Sequence, residues 1–228
     1  MSKKGRVLGN LQKIVTPLHQ QTKRDYLHRM VDDKVYCMKI AKQYEYDYWD
    51  GDRRYGYGGY KYIPGRWQKV AEQLIKIYGL KENSSILDIG CGKGFLLYEL
   101  KLLLPNIKVL GIDISEHGLK NSKKEIKKFL NKKSAIDLKD YENDEFDLVI
   151  SLGTLHNMKI FDLEIILKNI NRISKNQYIM VESYRNNLEQ FNLQCWALTA
   201  ETFLEPDEWL WLFKISGYKG DYEFIYFE

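Results

Sequence analysis

Asp88, Gly90, Gly92 and Gly94 alternate along ILDIGCGKGFLLYEL and are the residues best suited by type and spacing to hold a ligand. Glycine lets the backbone turn tightly and approach a ligand with no Cβ in the way. A phosphate-cradling loop needs Gly-x-x-x-x-Gly-Lys-Ser/Thr, which the chain lacks. A dinucleotide loop needs Gly-x-Gly-x-x-Gly, and counted from Gly90 its third glycine falls on Phe95. Asp88 brings a carboxylate to the loop, awkward for a pyrophosphate but suited to a cationic amino group.

The surrounding rhythm places this loop between a strand and a helix. SILDIG is a short apolar run and FLLYELKLLL is helical, stopping before Pro105. KVLGIDIS, SAIDL, FDLVISL and YIMVESY read as further strands, with helices between them, including a lysine-rich run from His117 to Lys133. PDEWLWLFKISG and DYEFIYFE close the chain as a helix and a strand. Alternating strands and helices predict an α/β fold, mostly parallel, with helices on both faces of the sheet. Earlier, apolar spacing predicts one amphipathic helix from Gln21 to Gln43 and a second in WQKVAEQLIKIY, stopped by Gly79. The expected division is a helical cap and lid segment over residues 1–80 and a core over residues 81–228.

Between those helices lies DYWDGDRRYGYGGYKY, Asp47 to Tyr62, dense in tyrosine and glycine. Such aromatic density disfavours disorder. Two readings stand: a structural aromatic cluster, or one wall of a binding site.

In order along the chain, Asp-x-Gly-x-Gly-x-Gly, GIDIS, SAIDL and FDLVISLGTLH resemble the motifs of class I S-adenosylmethionine-dependent methyltransferases. The resemblance implies a seven-stranded Rossmann-like sheet, although the antiparallel strand pair that usually closes it is not evident here. It implies S-adenosylmethionine as cofactor, with S-adenosylhomocysteine as product. Asp88 and the backbone of Gly90, Cys91, Gly92 and Gly94 would hold the methionine end. Asp113, about 20 residues beyond the loop, would take the ribose hydroxyls. Ile114 and Ala135 would pack on the adenine, and Ser151 and Thr154 would line the sulfonium side.

The resemblance also makes the segment before the first strand a lid over the cofactor and a wall of the acceptor pocket. Arg53, Arg54, Arg66, Tyr57 and Tyr60 would contact the acceptor, the guanidinium fork being suited to carboxylate or phosphate. Tyr184 and Arg185 follow the fifth strand and face the same site, or Arg185 pairs with Glu182. His156, just past the fourth strand, is the candidate general base or else packs the turn. His19, His28 and His117 read as surface residues, and no metal-ligand spacing appears.

The narrower likeness is to methyltransferases of bacterial surface-sugar and related small-molecule pathways. It predicts methylation at O or N of a small anionic acceptor. A protein or RNA acceptor and a non-catalytic partner subunit are the alternatives. A net charge of +4 spread along 228 residues argues for no nucleic-acid partner. The lack of an apolar run of about 18 residues argues for no membrane partner. Three cysteines without pairing rhythm and no signal-peptide pattern predict a cytoplasmic protein. The N-terminal aromatics could alternatively form a homodimer contact.

Overall fold

The computed structural model describes residues 8–228. Four short helices lead: α1 (Thr16–His19), α2 (Tyr26–Val31), α3 (Lys34–Ala41) and α4 (Tyr46–Trp49). Then come α5 (Gln68–Tyr78), β1 (Ser85–Ile89), α6 (Phe95–Leu103), β2 (Lys108–Asp113), α7 (Glu116–Lys120), α8 (Lys124–Lys127) and β3 (Leu130–Lys132). The chain continues through β4 (Phe146–Leu152), α9 (Ile160–Ile173), β5 (Ser174–Glu182), α10 (Asn187–Trp196), α11 (Pro206–Ile215) and β6 (Asp221–Ile225).

The strands form one sheet in the order β3-β2-β1-β4-β5-β6, and every pairing is parallel. The order reverses between β1 and β4, so their carboxyl ends open into a crevice of the kind where open α/β sheets bind ligands. Helices cover both faces, burying two apolar clusters, one around Ile86, Leu97 and Leu148 and one around Leu87, Val149 and Ile166.

Four expectations need correction. The sheet has six strands, because β6 pairs directly with β5 and no antiparallel strand intervenes. The outer edge of β6 is met instead by the N-terminal segment, through a parallel bridge from Leu11 to Tyr222. The helix expected over Gln21 to Gln43 is two helices, broken where Asp33 takes a left-handed φ of 40°. Its apolar stripe is not wholly buried: Leu27, Val31 and Val35 face solvent. The lysine-rich run is α7, α8 and then β3, since Leu130 pairs beside Gly111 in the sheet and overrides local helical preference. SAIDL therefore follows the strand rather than forming it.

One buried carboxylate ties the N-terminal segment to the sheet. Glu223 on β6, 1% exposed, accepts from the backbone N–H of Ile14 (2.6 Å), Val15 (3.0 Å) and Thr16 (2.5 Å), and from Thr16 Oγ1 (2.6 Å). The Tyr178 hydroxyl donates to it from β5. Donors left unmade in a buried site each cost about 1–3 kcal/mol. Glu223→Ala is therefore expected to lower unfolding free energy by about 3 kcal/mol or more, read from urea melts. Amides of residues 14–16 should lose hydrogen-exchange protection before those of β1.

Candidate active site

The glycine loop leaves the carboxyl end of β1, and Gly90 and Cys91 both donate their N–H to Ile112 O of β2 (2.8 and 3.1 Å). Gly90 has φ +80°, and a Cβ there would stand 2.0 Å from Thr154 Oγ1. Gly92 has φ +55°, and a Cβ there would meet the Trp49 ring at 2.6 Å. Thus Gly90 is glycine because Thr154 crowds it, and Gly92 because an indole lies on it. Gly94 caps α6 and packs toward Ile126 and Leu130, away from the crevice.

Asp113, at the end of β2, orders both sides of the crevice. Its Oδ2 accepts from Gly92 N and its Oδ1 from Ser115 N, each at 2.8 Å. Burial pushes its carboxyl pKa up, while the N–H groups of Ser115, Gly92 and Ile114 pull it back. With Gly90, Ile114, Ala135 and Thr154 it lines a cavity of 150 Å³.

Asp88 is 5% exposed, and no hydrogen-bond donor among the described residues reaches its carboxylate. Burial, with help from Asp113, pushes its pKa up to about 8. It lines a second cavity of 270 Å³ with Gly90, Cys91, Gly92, Trp49 and Glu182. Burial also raises the Cys91 thiol, which leaves it a protonated loop residue rather than a nucleophile.

The aromatic stretch from Asp47 to Tyr62 covers the loop. Trp49 donates its indole N–H to Ser115 Oγ (2.8 Å) and Tyr44 O (3.0 Å), and Tyr57 stacks on it at 5.2 Å. Tyr60 stacks on Phe95 at the start of α6 (5.2 Å). Asp50 receives the buried Lys93 of the glycine loop (2.7 Å) and His117 Nε2 (2.7 Å). His117 is accordingly part of this junction instead of a free surface group. His19 is largely buried too, its pKa lowered to about 4 by burial and by Arg24.

A third cavity of 450 Å³ lies beyond, and Tyr57 and Gly153 border all three. Arg24, Arg29, Arg53 and Arg66 line it with Tyr60, Trp196, His156 and Glu182. Thus Arg53, Arg66, Tyr57 and Tyr60 are gathered at one place, but three other expected contacts are not. Arg54 turns away to Asp32 (2.7 Å). Arg185 pairs with Glu189 and Glu228 instead of Glu182. Tyr184 is buried in the first apolar cluster. Ser151 also lies off the cavities, donating to Ile89 O (3.0 Å) and so joining β4 to β1.

His156 is 4% exposed and has a defined tautomer. Its Nδ1 accepts from the Glu182 backbone N–H (3.3 Å), so the ring proton sits on Nε2, 3.4 Å from Glu182 Oε2. Burial lowers its pKa, with Glu182 opposing, and the ring stays neutral. Its Nδ1 is taken by a backbone N–H and its Nε2 faces the Glu182 carboxylate, so that carboxylate stands beside the expected base as a second candidate acceptor. No motif along the chain marks Arg24 and Arg29, and only folding brings them here.

A parallel sheet whose switch-point loop begins from a buried, unpartnered carboxylate, with a second carboxylate at the end of the next strand, is the arrangement of a Rossmann-like methyltransferase. The chain belongs to the methyltransferase domain family, whose pattern matches residues 80–217. The matched domain is that of S-adenosylmethionine-dependent methyltransferases. It resembles a SAM dependent methyltransferase from Archaeoglobus fulgidus, with 25% identity and a TM-score of 0.51, over 66% of this chain and 68% of that one. It is 31% identical over 128 residues to the mouse mitochondrial arginine-hydroxylase NDUFAF5, covering 56% of this chain and 36% of that protein. It is 30% identical over 107 residues to the Saccharomyces cerevisiae protein-lysine N-methyltransferase EFM4, covering 43% of this chain and 47% of that one. The matched regions thus span less than half the length of either of these two curated relatives.

The residues present fit the cofactor, because the buried Asp88 carboxylate meets no donor among the described residues and suits an ammonium group. An ammonium binds the Asp88 carboxylate and not the acid, so below about pH 8 binding must release its proton. S-adenosylhomocysteine affinity should therefore rise from about pH 6 toward pH 8, by at most about tenfold per unit, and then level off. Asp88→Asn should abolish that slope in calorimetric titrations.

Proposed function

We propose that the protein methylates O or N of a small anionic acceptor held in the 450 Å³ cavity. The observation that carries this reading is a confined, arginine-lined space sharing the Tyr57 and Gly153 wall with the cofactor crevice. In it, Asp113 takes the ribose, Ile114 and Ala135 flank the adenine, Asp88 takes the amino group, and Thr154 lies toward the reacting end. Residues 1–80 serve as cap and lid. The narrower reading, an acceptor from a bacterial surface-sugar or related pathway in the cytoplasm, rests on the motif likeness alone.

Bound S-adenosylmethionine supplies an electrophilic methyl on a sulfonium. The chain then has to orient the acceptor, keep water out and take the acceptor's proton. Confinement and alignment supply most of the rate gain. Trp49, Tyr57 and Tyr60 screen the crevice. Glu182 is positioned to accept the proton of a hydroxyl or amine, and His156 Nε2 lies 3.4 Å from that carboxylate. The arginines hold the anionic part of the acceptor away from Glu182, since a carboxylate repels it.

The test uses methyl-labelled S-adenosylmethionine, purified protein and a lysate of its own host lacking the gene. Label should appear in the small-molecule fraction. Label on protein, the acceptor class of the yeast protein-lysine N-methyltransferase, or on RNA overturns the small-acceptor reading. With the labelled acceptor in hand, Glu182→Gln should lower kcat by ~10²–10⁴ while S-adenosylhomocysteine affinity stays unchanged. A rise in KM alone would make Glu182 a binding group and not a base.

A further inference from the structure

Three guanidinium groups converge on one indole. The guanidinium carbons of Arg24, Arg29 and Arg53 lie 5.5, 4.6 and 5.1 Å from the centre of the Trp196 ring. All four side chains line the acceptor cavity. Among the described residues no carboxylate comes within 4 Å of any of the three arginines, whereas Arg54 and Arg185 do have such partners.

The donors of the three are only partly used. Arg24 gives its terminal nitrogens to Thr22 O and His19, but its Nε is buried without a partner. Arg29 donates one nitrogen to Arg54 O (2.8 Å), and Arg53 donates one to Gly56 O. Stacking on Trp196 leaves the edges of the guanidinium planes, where the N–H groups are, for something else. Burial lowers the pKa of Arg24 and of Arg29, and the charge of Arg53 adds to both effects. Tyr26 and then Glu182 oppose this at Arg24, and Cys37 and then Asp32 oppose it at Arg29.

We infer that Arg24, Arg29 and Arg53, gathered around Trp196, seat a dianionic phosphate monoester carried by the acceptor. The inference rests on the cavity being the acceptor site. A single carboxylate would offset one of three clustered positive charges and offer two oxygens. A phosphate monoester brings nearly two negative charges and three acceptor oxygens, and its oxygens match guanidinium forks. Glu182 stands in the same cavity on the β5 side, so the acceptor is polar in layout. Its phosphate lies at the Trp196 end, and the hydroxyl or amine to be methylated lies at the Glu182 end.

The test is calorimetric titration of the full chain with inorganic phosphate, glycerol phosphate and acetate, with Trp196 fluorescence followed in parallel against Trp196→Phe. Phosphate and glycerol phosphate should bind and acetate should not. Arg53→Ala and the charge-preserving Arg29→Lys should each weaken phosphate binding by about tenfold or more. Acetate binding as tightly as phosphate, or either variant binding phosphate like the wild type, would overturn the seat. A short single-stranded oligonucleotide displacing phosphate at lower concentration would also overturn it, in favour of phosphodiesters. S-adenosylhomocysteine titrated in the same samples separates the two ideas. Intact cofactor affinity in wild type without phosphate binding sinks the phosphate seat and leaves the methyltransferase reading standing.

Discussion

The Glu223 carboxylate is the contact on which the rest of the site is built. It closes the backbone of residues 14–16 onto β6 and β5, so the first residues of the chain are fixed to the last strand. From that anchor α1 leads to Arg24, and α2 packs against α10 and its terminal Trp196. Helices of four to eight residues have little stability of their own. Their places are set by tertiary contacts, above all by this one and by the aromatic stack on the glycine loop.

The aromatic stretch is tied at separate points by different kinds of interaction. Trp49 binds Ser115, Asp50 binds Lys93 and His117, and the Tyr62 hydroxyl donates to the buried Glu99 (2.9 Å). The partners lie on the glycine loop, in α6 and in or beside α7, which are the elements that also border the crevice. A segment bound at these points follows their positions, and the stacked rings between them have few rotatable bonds.

How much of this could be read beforehand follows from the range of each requirement. The strands, the loop and Asp113 are local demands of backbone geometry, and their spacing carries them. Gly90 and Gly92 were legible as glycines, but the reason for Gly92, the Trp49 ring, comes from a segment over forty positions earlier. The aromatic stretch was legible as a dense cluster but not in its orientation, so nothing in the spacing tells Arg53, which lines the cavity, from its neighbour Arg54, which turns to Asp32. Arg24, Arg29 and the tautomer of His156 depend on distant backbone groups, and no spacing in the chain encodes them. The helix breaks at Asp33 and before β3 are likewise sheet and packing effects acting on segments with ordinary helical composition.

Because Tyr57 and Gly153 belong to the walls of all three cavities, a group seated in one compartment rests on a surface that the others share. The Tyr57 ring already stacks on Trp49, and Trp49 lies on Gly92. The segment that carries this wall is joined to the glycine loop by Asp50 and the buried Lys93, so a shift of the loop would carry a wall of every compartment with it.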